Sequence, residues 1–356
     1  MSFLIYPTVK QAPILGMLGM GGGIARARGA SGIDINDFFS TTLYTGNSGG
    51  NRTLTTGIDN STGTFMAWFK CRSDNRSNHL VANVYPQYGG NLGWKCLNSD
   101  SFYKLGGQND FSPEVTSATS TGFTLSNTGG EVNLNNETYV GWNFKAAPKF
   151  FNVIKYTGNG QQGQTINHGL ASVPGCIILK NITANASWFV WHKELGAGKH
   201  LVLNSGNAET NDGGNWYSSL TDTSFTFDRT YVSNINTNNQ DYVAMMWADE
   251  DVIKCGVYQG STGAANHTIT GVGFKPQWLM VKNATGSGSW SIFDNTRSSA
   301  TNVNKYIRPN LNNEEASRSS PAYVTFNADG WSFPSAALDG DYNNNNSFIY
   351  VAIAAP

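Results

Sequence analysis

Residues 175–180 read GCIILK, and residues 277–282 read QWLMVK. Both stretches are apolar runs of strand length that end in lysine, and they lie about 100 residues apart. Short apolar runs bounded by turn-forming residues are typical of central strands in a β-sandwich. We therefore predict equivalent central strands at these two places.

The sequence around these runs repeats itself. An ungapped match pairs Tyr156, Pro174 and Trp188 with Tyr258, Pro276 and Trp290. After a small slip in register, residues 199–201 (KHL) match 305–307 (KYI), 224–227 (SFTF) match 330–333 (GWSF), and 242–244 match 350–352, both YVA. A weaker third copy lies upstream, with 68–70 (WFK), 79–81 (HLV, matched to 200–202), 122–125 (GFTL) and 138–140 (TYV).

These repeats predict an all-β protein of three tandem β-sandwich modules, jelly-roll-like, behind a short arm. The predicted boundaries are 1–35 for the arm, 36–148 for a divergent first module, 149–250 for the second and 251–356 for the third. What the copies share is aromatic and β-branched residues at strand spacing, with Gly and Pro at turns. We expect each module to have its own core, with Trp188 and Trp290 as equivalent core residues.

The composition limits the possible partners. The chain has a formal net charge of −1, and only 13% of its residues are charged. Nucleic acids and anionic membranes bind surfaces with clustered Lys and Arg. A chain with few charged residues and no net positive charge is therefore not expected to bind either. No stretch reaches the ~20 apolar residues of a membrane helix, and membrane insertion is therefore not expected.

The first 35 residues differ from the rest because they are rich in Met, Leu and Gly and show little periodicity. Such a segment cannot form a core by its own contacts. We interpret it as an arm that anchors the protein to a larger assembly, although a merely loose terminus is the alternative. The proposed anchor residues are Ile14, Leu15, Met17, Leu18 and Met20.

The cysteines and histidines show no metal-ligand spacing, so we predict neither a metal site nor a cofactor. Cys71 and Cys96 could pair within the first module, but free thiols are the favoured interpretation. His79 and His200 are matched in the repeat, and Tyr306 takes the same position in the third copy. A packing role is therefore favoured for both histidines.

No nucleophile elbow, phosphate loop or zinc-protease motif is present, and the protein is predicted not to be an enzyme. A glycosidase needs only two carboxylates, so the sequence leaves that activity open. The acidic residues available for it are Glu114, Glu194, Glu209, Asp212, Asp222 and Asp228.

Aromatic residues in two polar, Gly-rich loops are the better functional candidates. They are Tyr85 and Tyr88 in one loop, and Trp216 and Tyr217 in the other. Sugar recognition combines a flat apolar ring face with amide and carboxyl groups, and both loops contain these groups. These four residues are our candidate ligand-binding set, and the equally weighted alternative is that they are buried anchors of their loops.

The whole pattern resembles a repeat domain of tail-fibre and other virion structural proteins of tailed bacteriophages, especially marine ones. The resemblance runs from about residue 60 to the C-terminus. The residues that carry it are Lys70, Asp74, Arg76, residues 122–125, Tyr139, Val140, Tyr156, Pro174, Lys180, Trp188, Pro276, Lys282, Trp290, Asp294, Arg297, Tyr350 and Val351.

This resemblance implies a non-enzymatic virion protein, made in the host cytoplasm, that acts as a tail fibre or receptor-binding component. Its implied partners are other virion proteins, through the N-terminal arm, and a host surface polysaccharide, and a homo-oligomer is expected. The alternative is a capsid or tail decoration protein with no receptor role. No fibre shaft is evident, which favours a compact tip, a short fibre or a decoration.

Overall fold

A computed structural model gives the fold of the chain, and the prediction of an all-β protein is confirmed, with 48% strand and 1% helix. The candidate anchor residues of the arm and the candidate ligand residue Tyr88 lie outside the described residues. The structure describes residues 32–48, 51–87, 93–107, 114–126, 131–196, 198–228, 235–263, 266–318, 321, 323–334 and 339–356.

One 3₁₀ turn, Ile35–Asp37, precedes the strands. In the described residues the strands are β1 (Phe39–Thr45), β2 (Arg52–Thr55), β3 (Phe65–Cys71), β4 (Asn78–Ala82), β5 (Leu97–Asn98), β6 (Val115–Thr119), β7 (Gly122–Leu125), β8 (Thr138–Lys145), β9 (Phe151–Thr157), β10 (Thr165–Asn167), β11 (Pro174–Asn181), β12 (Phe189–His192), β13 (Lys199–Val202), β14 (Thr210–Asn211), β15 (Tyr217–Leu220), β16 (Ser224–Phe227), β17 (Asp241–Ala248), β18 (Ile253–Gln259), β19 (His267–Ile269), β20 (Pro276–Asn283), β21 (Ser291–Asp294), β22 (Lys305–Tyr306), β23 (Ala316–Ser317), β24 (Thr325–Asn327), β25 (Gly330–Phe333) and β26 (Ser347–Ala354).

The same sheet connectivity occurs three times along the chain. The three larger sheets have the orders β1-β8-β3-β4-β5, β9-β17-β11-β12-β13-β14 and β18-β26-β20-β21. Three smaller sheets have the orders β2-β7-β6, β10-β16-β15 and β19-β25-β24, and β22 pairs with β23. Each of these sheets uses strands from only one of the ranges 36–148, 149–250 and 251–356, which we call segments 1, 2 and 3. Their division into separately folding units stays a prediction.

The central strands β3, β11 and β20 contain continuous apolar runs because both of their faces are covered. On β3, Phe65, Ala67 and Phe69 face a cluster that includes Phe123 and Leu125 of the smaller sheet. Met66 and Trp68, on the opposite face, join a second cluster. Alternate residues of a strand point to opposite faces, so the apolar run lacks the alternation of a half-exposed strand.

The second cluster is shared by all three segments. It contains residues of each larger sheet, among them Trp68, Trp247 and Trp278. Phe144 of β8 makes edge-to-face contacts with Trp247 at 6.0 Å and Trp278 at 5.7 Å between ring centroids. The expectation of three separate cores is therefore incomplete, because the inner faces of the larger sheets form a common core and the sandwich core of segment 2 is continuous with it.

A stacked aromatic pair recurs in each larger sheet, between the strands that come first and last in chain order. These are neighbouring strands in the sheet, namely β1 and β8, β9 and β17, and β18 and β26. The pairs are Tyr44–Tyr139, Tyr156–Tyr242 and Tyr258–Phe348, with centroids 5.0, 5.1 and 5.1 Å apart. In each pair the first tyrosine donates its hydroxyl to a backbone carbonyl, namely that of Val132, Ile235 or Tyr342. The sequence match of Tyr242 with Tyr350 is therefore wrong by two residues, and Phe348 is the equivalent.

The junctions between segments also repeat. Trp188 of segment 2 donates its indole N–H to the carbonyls of Asn98 and Ser101 in segment 1. Trp290 of segment 3 donates in the same way to Val202 in segment 2. The prediction that Trp188 and Trp290 are equivalent core residues is confirmed, since both are at most 2% exposed.

Segment 1 has Asn78 at the position of these tryptophans, since Asn78, the first residue of β4, lies opposite the lysine that ends the apolar run of β3, Lys70. The Asn78 side chain donates to the carbonyls of Arg308 and Leu311 in segment 3. Segment 2 thus contacts segment 1, segment 3 contacts segment 2, and segment 1 contacts segment 3. The three segments close into a ring.

A lysine is buried at each junction. The amine of Lys70 donates to the Asn312 carbonyl of segment 3, that of Lys180 to the Phe102 carbonyl of segment 1, and that of Lys282 to the Gly206 carbonyl of segment 2. Burial lowers the pKa of all three, to about 8, about 7 and about 8 respectively. The lysines that end the apolar runs are thus part of the junctions.

The position assigned to His79 in the repeat is also wrong. His79 lies on β4, opposite Phe69, where segment 2 has Phe189 opposite Leu179. The residue equivalent to His200 is instead Cys96, since Leu97 and Leu201 hold matching places in the ladder. All four cysteines are free. None of the described helical residues forms a helix long and apolar enough to span a membrane.

Candidate functional site

The predicted aromatic candidates divide into buried and accessible side chains. Tyr85 and Trp216 are each only 2% exposed. Tyr217 is partly exposed, with its ring packed against Phe225 and Phe227. The ligand-binding role of this set stays a prediction, and among its three described members only Tyr217 has a partly exposed side chain.

Trp216 is fixed by a polar contact inside segment 2. Its indole N–H donates to Asp212 Oδ2 at 2.8 Å, and the same oxygen lies 2.7 Å from His200 Nδ1. The Trp216 and His200 rings pack at 5.0 Å, and Phe189 completes the cluster at 6.0 Å from Trp216. This aromatic side chain therefore anchors its loop, and a bound sugar could not stack on its full face.

Trp191, which the sequence analysis did not select, provides an accessible ring beside this loop. It lies on β12 opposite Ile177, and the matching positions in the other segments are Val81 and Phe293. Both of those residues are 0% exposed, whereas Trp191 is only partly buried. Segment 2 therefore exposes an aromatic ring at a position that the other segments bury.

The difference has a local cause. In segment 3, Phe293 is covered by Tyr306 and Tyr342, whose ring centroids lie 5.6 and 5.4 Å away. In segment 2 the residue at the position of Tyr306 is His200, which is held by Asp212. The indole of Trp191 instead meets Tyr217 edge to face at 5.8 Å.

Two adjoining depressions share Trp191 and Lys193. One has a volume of about 310 Å³ and is lined also by Trp216, Tyr217, Leu220 and Asn215. The other has a volume of about 560 Å³, and its further lining residues include Val173, Pro174, Asp222, Asp249 and Glu250. We call the two depressions together the Trp191 groove.

The polar groups of the groove are charged and organised. Lys193 forms ion pairs with Asp249 and with Glu194, the latter at 3.4 Å. Burial acts to raise the pKa of Asp249, but hydrogen bonds from Lys193 and from the Cys255 backbone outweigh it and hold that pKa below its usual value. Glu250 accepts the hydroxyl of Ser172 at 2.8 Å. The groove therefore contains carboxylates whose oxygens are held in place by hydrogen bonds.

An apolar ring beside oriented carboxylates is suited to a polyhydroxylated ligand. The C–H face of a sugar packs on an aromatic ring, and its hydroxyl groups donate to carboxylates and amides. The groove is open, and a few convergent polar groups next to an apolar surface are typical of ligand sites. Its chemistry therefore matches reversible carbohydrate binding.

The carboxylates considered for glycoside hydrolysis are dispersed. Asp222 lines the Trp191 groove, but Glu114 is buried in segment 1. Glu209 pairs with Lys199, and Asp212 holds Trp216. Among the described residues, these pairings do not assemble the six candidates into one site.

The loop that contains Tyr85 borders a separate depression between segments 1 and 2. It has a volume of about 420 Å³, and Pro86, Gln87, Lys104 and Asp241 are among its lining residues. Tyr85 itself is buried in the common core. The described part of this loop therefore contributes polar and backbone groups to the depression, without a ring face.

One signal for Trp191 was present in the sequence. Residues 188–191 read WFVW on a predicted strand, so alternation places Trp188 and Trp191 on opposite faces. Which of the two faces is covered depends on His200 and on the course of the following loop. Those contacts are long-range, and the sequence pattern does not contain them.

The comparison with protein-family models gives one match. A model described as Domain of unknown function (DUF7483) covers residues 34–356, which takes in all three segments as one unit. No curated protein matches the chain. The match begins at Asp34, the residue that caps the 3₁₀ turn before β1.

Proposed function

We propose that this chain, which belongs to the DUF7483 family, is a non-enzymatic bacteriophage virion protein that recognises host surface glycans. In this proposal it is a tail fibre or receptor-binding component, and the Trp191 groove of segment 2 binds the glycan. The protein is made in the host cytoplasm and is then incorporated into the virion.

The observation that carries the receptor role is the exposure of Trp191 at a position that is fully buried in segments 1 and 3. Exposing part of an indole forgoes some of the ~1.5–3 kcal/mol that burial of a large apolar side chain contributes. In segment 2, His200 is held by Asp212 at the position where Tyr306 covers Phe293 in segment 3, so the chain itself leaves the Trp191 ring partly uncovered. A ligand bound across the ring would cover it.

The virion assignment is supported by the sequence resemblance and by the compact ring of segments. A receptor-binding component must fold without its ligand and must attach to a particle. The common core supplies the first property, and the predicted arm, residues 1–35, supplies the second by contacting other virion proteins. A homo-oligomer would present several grooves at once and raise the avidity for a repetitive polysaccharide.

A glycan array tests the receptor role. The wild-type protein is expected to bind a defined set of bacterial surface glycans, and Trp191→Ala is expected to lose at least about tenfold in affinity for them, which is ~1.4 kcal/mol. Phe102→Ala is the matched control, because Phe102 is 47% exposed and lies outside the groove. Equal binding by wild type and Trp191→Ala would refute the role of the groove.

The second candidate function is a structural capsid or tail decoration without a receptor role. The closed ring of repeated junctions favours it, because such a ring resembles a trimer built from one chain and would suit a site of threefold symmetry on a particle. A density map of the intact virion distinguishes the two candidates. Receptor binding requires the groove to face outward, whereas a decoration would bury it against a neighbouring protein.

A further inference from the structure

We propose that segment 1 contains a binding site for Zn²⁺ formed by His79, Cys96 and Glu114. The sequence alone predicts no metal site, because these residues are separated by 17 and 18 positions and fit no ligand motif. The proposed site is independent of the Trp191 groove, which lies in segment 2.

The three ligand atoms are close enough to share one ion. His79 Nδ1 lies 3.1 Å from Cys96 Sγ, and Cys96 Sγ lies 4.0 Å from Glu114 Oε1. All three atoms lie within 4.8 Å of one another. Tetrahedral Zn²⁺ with bonds of ~2.0–2.3 Å separates its ligands by roughly 3.3–3.8 Å, so small side-chain adjustments suffice.

Each ligand is positioned by a different element. His79 lies on β4, Cys96 directly precedes β5, and Glu114 directly precedes β6. The Glu114 carboxylate is oriented by the backbone N–H groups of Glu131 and Val132, at 3.2 and 3.4 Å. Supporting hydrogen bonds of this kind hold metal ligands in place before the ion binds.

The carboxylate and the imidazole of this cluster are buried, with Glu114 2% exposed and His79 3% exposed, and the Cys96 thiol is partly buried. Within the described residues Glu114 has no salt-bridge partner. A buried carboxylate without a cation is costly, and a divalent ion would compensate it.

Burial favours the neutral form of each of the three groups, which is the metal-binding form of the imidazole but not of the carboxyl and thiol groups. Burial, together with the charges of Lys70 and Arg76, lowers the pKa of His79 to about 3, so its imidazole is neutral as a ligand must be. Burial raises the pKa of Glu114 to about 7 and raises that of the Cys96 thiol. Binding of Zn²⁺ would release the thiol proton to solvent, with the Glu114 proton where that is present.

The equivalent positions in the other segments contain no such set. In segment 2, Phe189 replaces His79 and His200 replaces Cys96, and the two rings pack at 5.3 Å. In segment 3 the positions hold Ser291 and Tyr306. Two of three copies therefore fold without these ligands, so the fold itself does not require the polar cluster of segment 1.

The donor set is appropriate for zinc. Imidazole, thiolate and carboxylate together favour a borderline-soft ion over Mg²⁺ or Ca²⁺, which prefer oxygen ligands. Besides the Glu114 carboxylate, a second oxygen lies near the thiol. It is Asn98 Oδ1, 3.7 Å from Cys96 Sγ. The fourth coordination position is filled either by this amide or by water.

Metal analysis of the full chain tests the site. After removal of bound metal with a chelator and reloading with Zn²⁺, we expect one ion per chain by elemental mass spectrometry. Titration with Co²⁺ should give the thiolate-to-cobalt charge-transfer absorption that reports a Cys ligand. Cys96→Ser should abolish this band. It should also weaken Zn²⁺ binding by at least ~10–100-fold, which is the effect of losing a residue that only supports a metal ligand by a hydrogen bond.

Two further variants make the result decisive. Cys71→Ser is the matched control, since Cys71 is the other thiol of segment 1 and lies outside the cluster, and it should retain the band. His79→Phe introduces the residue that segment 2 has at this position and should fold while losing Zn²⁺. A wild-type protein without stoichiometric Zn²⁺, or Zn²⁺ binding that survives Cys96→Ser, would overturn the proposal.

Discussion

The junctions between segments and the Trp191 groove differ in how far they follow the repeat. At the junctions, Trp188, Trp290 and Asn78 hold the same position and all donate to carbonyls of a neighbouring segment. In the groove, Trp191 stands alone, because its equivalents Val81 and Phe293 are buried. Contacts that recur in all three segments maintain the fold, whereas a contact that occurs once is a candidate for function.

The largest expected effect is at a junction. Truncating Trp290 to Ala should lower the free energy of unfolding by ~3–5 kcal/mol, because it leaves a cavity and removes the indole hydrogen bond to the Val202 carbonyl. Urea denaturation of the purified variant measures this. Asn78→Ala should cost less, ~1–3 kcal/mol, since it removes hydrogen bonds and little volume. A Trp290→Ala protein as stable as wild type would break the comparison.

The buried lysines should make the junctions sensitive to pH. Lys180 has a pKa of about 7 in the fold, below its value in the unfolded chain, because burial disfavours the charged amine. At a pH between the folded and the unfolded pKa of Lys180, unfolding takes up a proton. The free energy of unfolding therefore increases as the pH rises from 7 to 9. The penalty for burying its charge is fully present only below pH 7.

The matched variant Lys180→Met isolates this effect. Its amine is replaced by an apolar group, while the carbonyls of Phe102 and Ala186 that accepted from Lys180 remain. The unfolding free energy of the wild type minus that of Lys180→Met should increase by about 2 kcal/mol from pH 7 to pH 9. A difference that stays constant over this range would show that Lys180 is not desolvated.

Truncation of Trp191 in the groove should cost less stability than truncation of Phe293, the buried residue at the same position of segment 3. Phe293→Ala should cost ~3–5 kcal/mol of stability, because Phe293 is fully enclosed. Trp191→Ala should cost only about 1–2 kcal/mol, because its ring is already partly in contact with water. Thermal or urea unfolding of both variants sharpens the comparison, and equal costs would mean that Trp191 is a core residue.

The smallest expected effect on stability concerns the arm. Deletion of residues 1–30 should leave the unfolding free energy unchanged, since the family match begins at residue 34 and the glycine-broken composition of the arm is not expected to form a core. The same deletion should abolish incorporation into particles, which can be measured by sedimentation of assembled virions. Normal incorporation of the truncated protein would show that the arm is not an anchor.

The repeated part of the fold could be predicted because its determinants are local. The apolar runs at 175–180 and 277–282 correspond to β11 and β20, and the shared tryptophans indicated a common packing position. The register of the first copy was wrong, because His79 resembles His200 in its flanking residues while Cys96 holds the equivalent place. Only strand pairing reveals that equivalence.

The candidate sites were less predictable, because they depend on contacts that the repeat does not specify. Trp191 reads as one more buried aromatic residue until the loop around His200 is known. His79, Cys96 and Glu114 come together only through β4, β5 and β6. The ligand-binding role of Tyr217 stays a prediction, whereas for Trp216 the structure agrees with the alternative interpretation of a buried loop anchor.

The most direct test of the central claim is a structure of the protein bound to the glycan that an array selects. The account predicts that a sugar ring packs on Trp191 next to Tyr217, with its hydroxyl groups bonded to carboxylates such as Asp222 or Glu250. Segments 1 and 3 should carry no glycan at the matching positions, Val81 and Phe293. A glycan bound at a repeated position, or away from Trp191, would contradict the account.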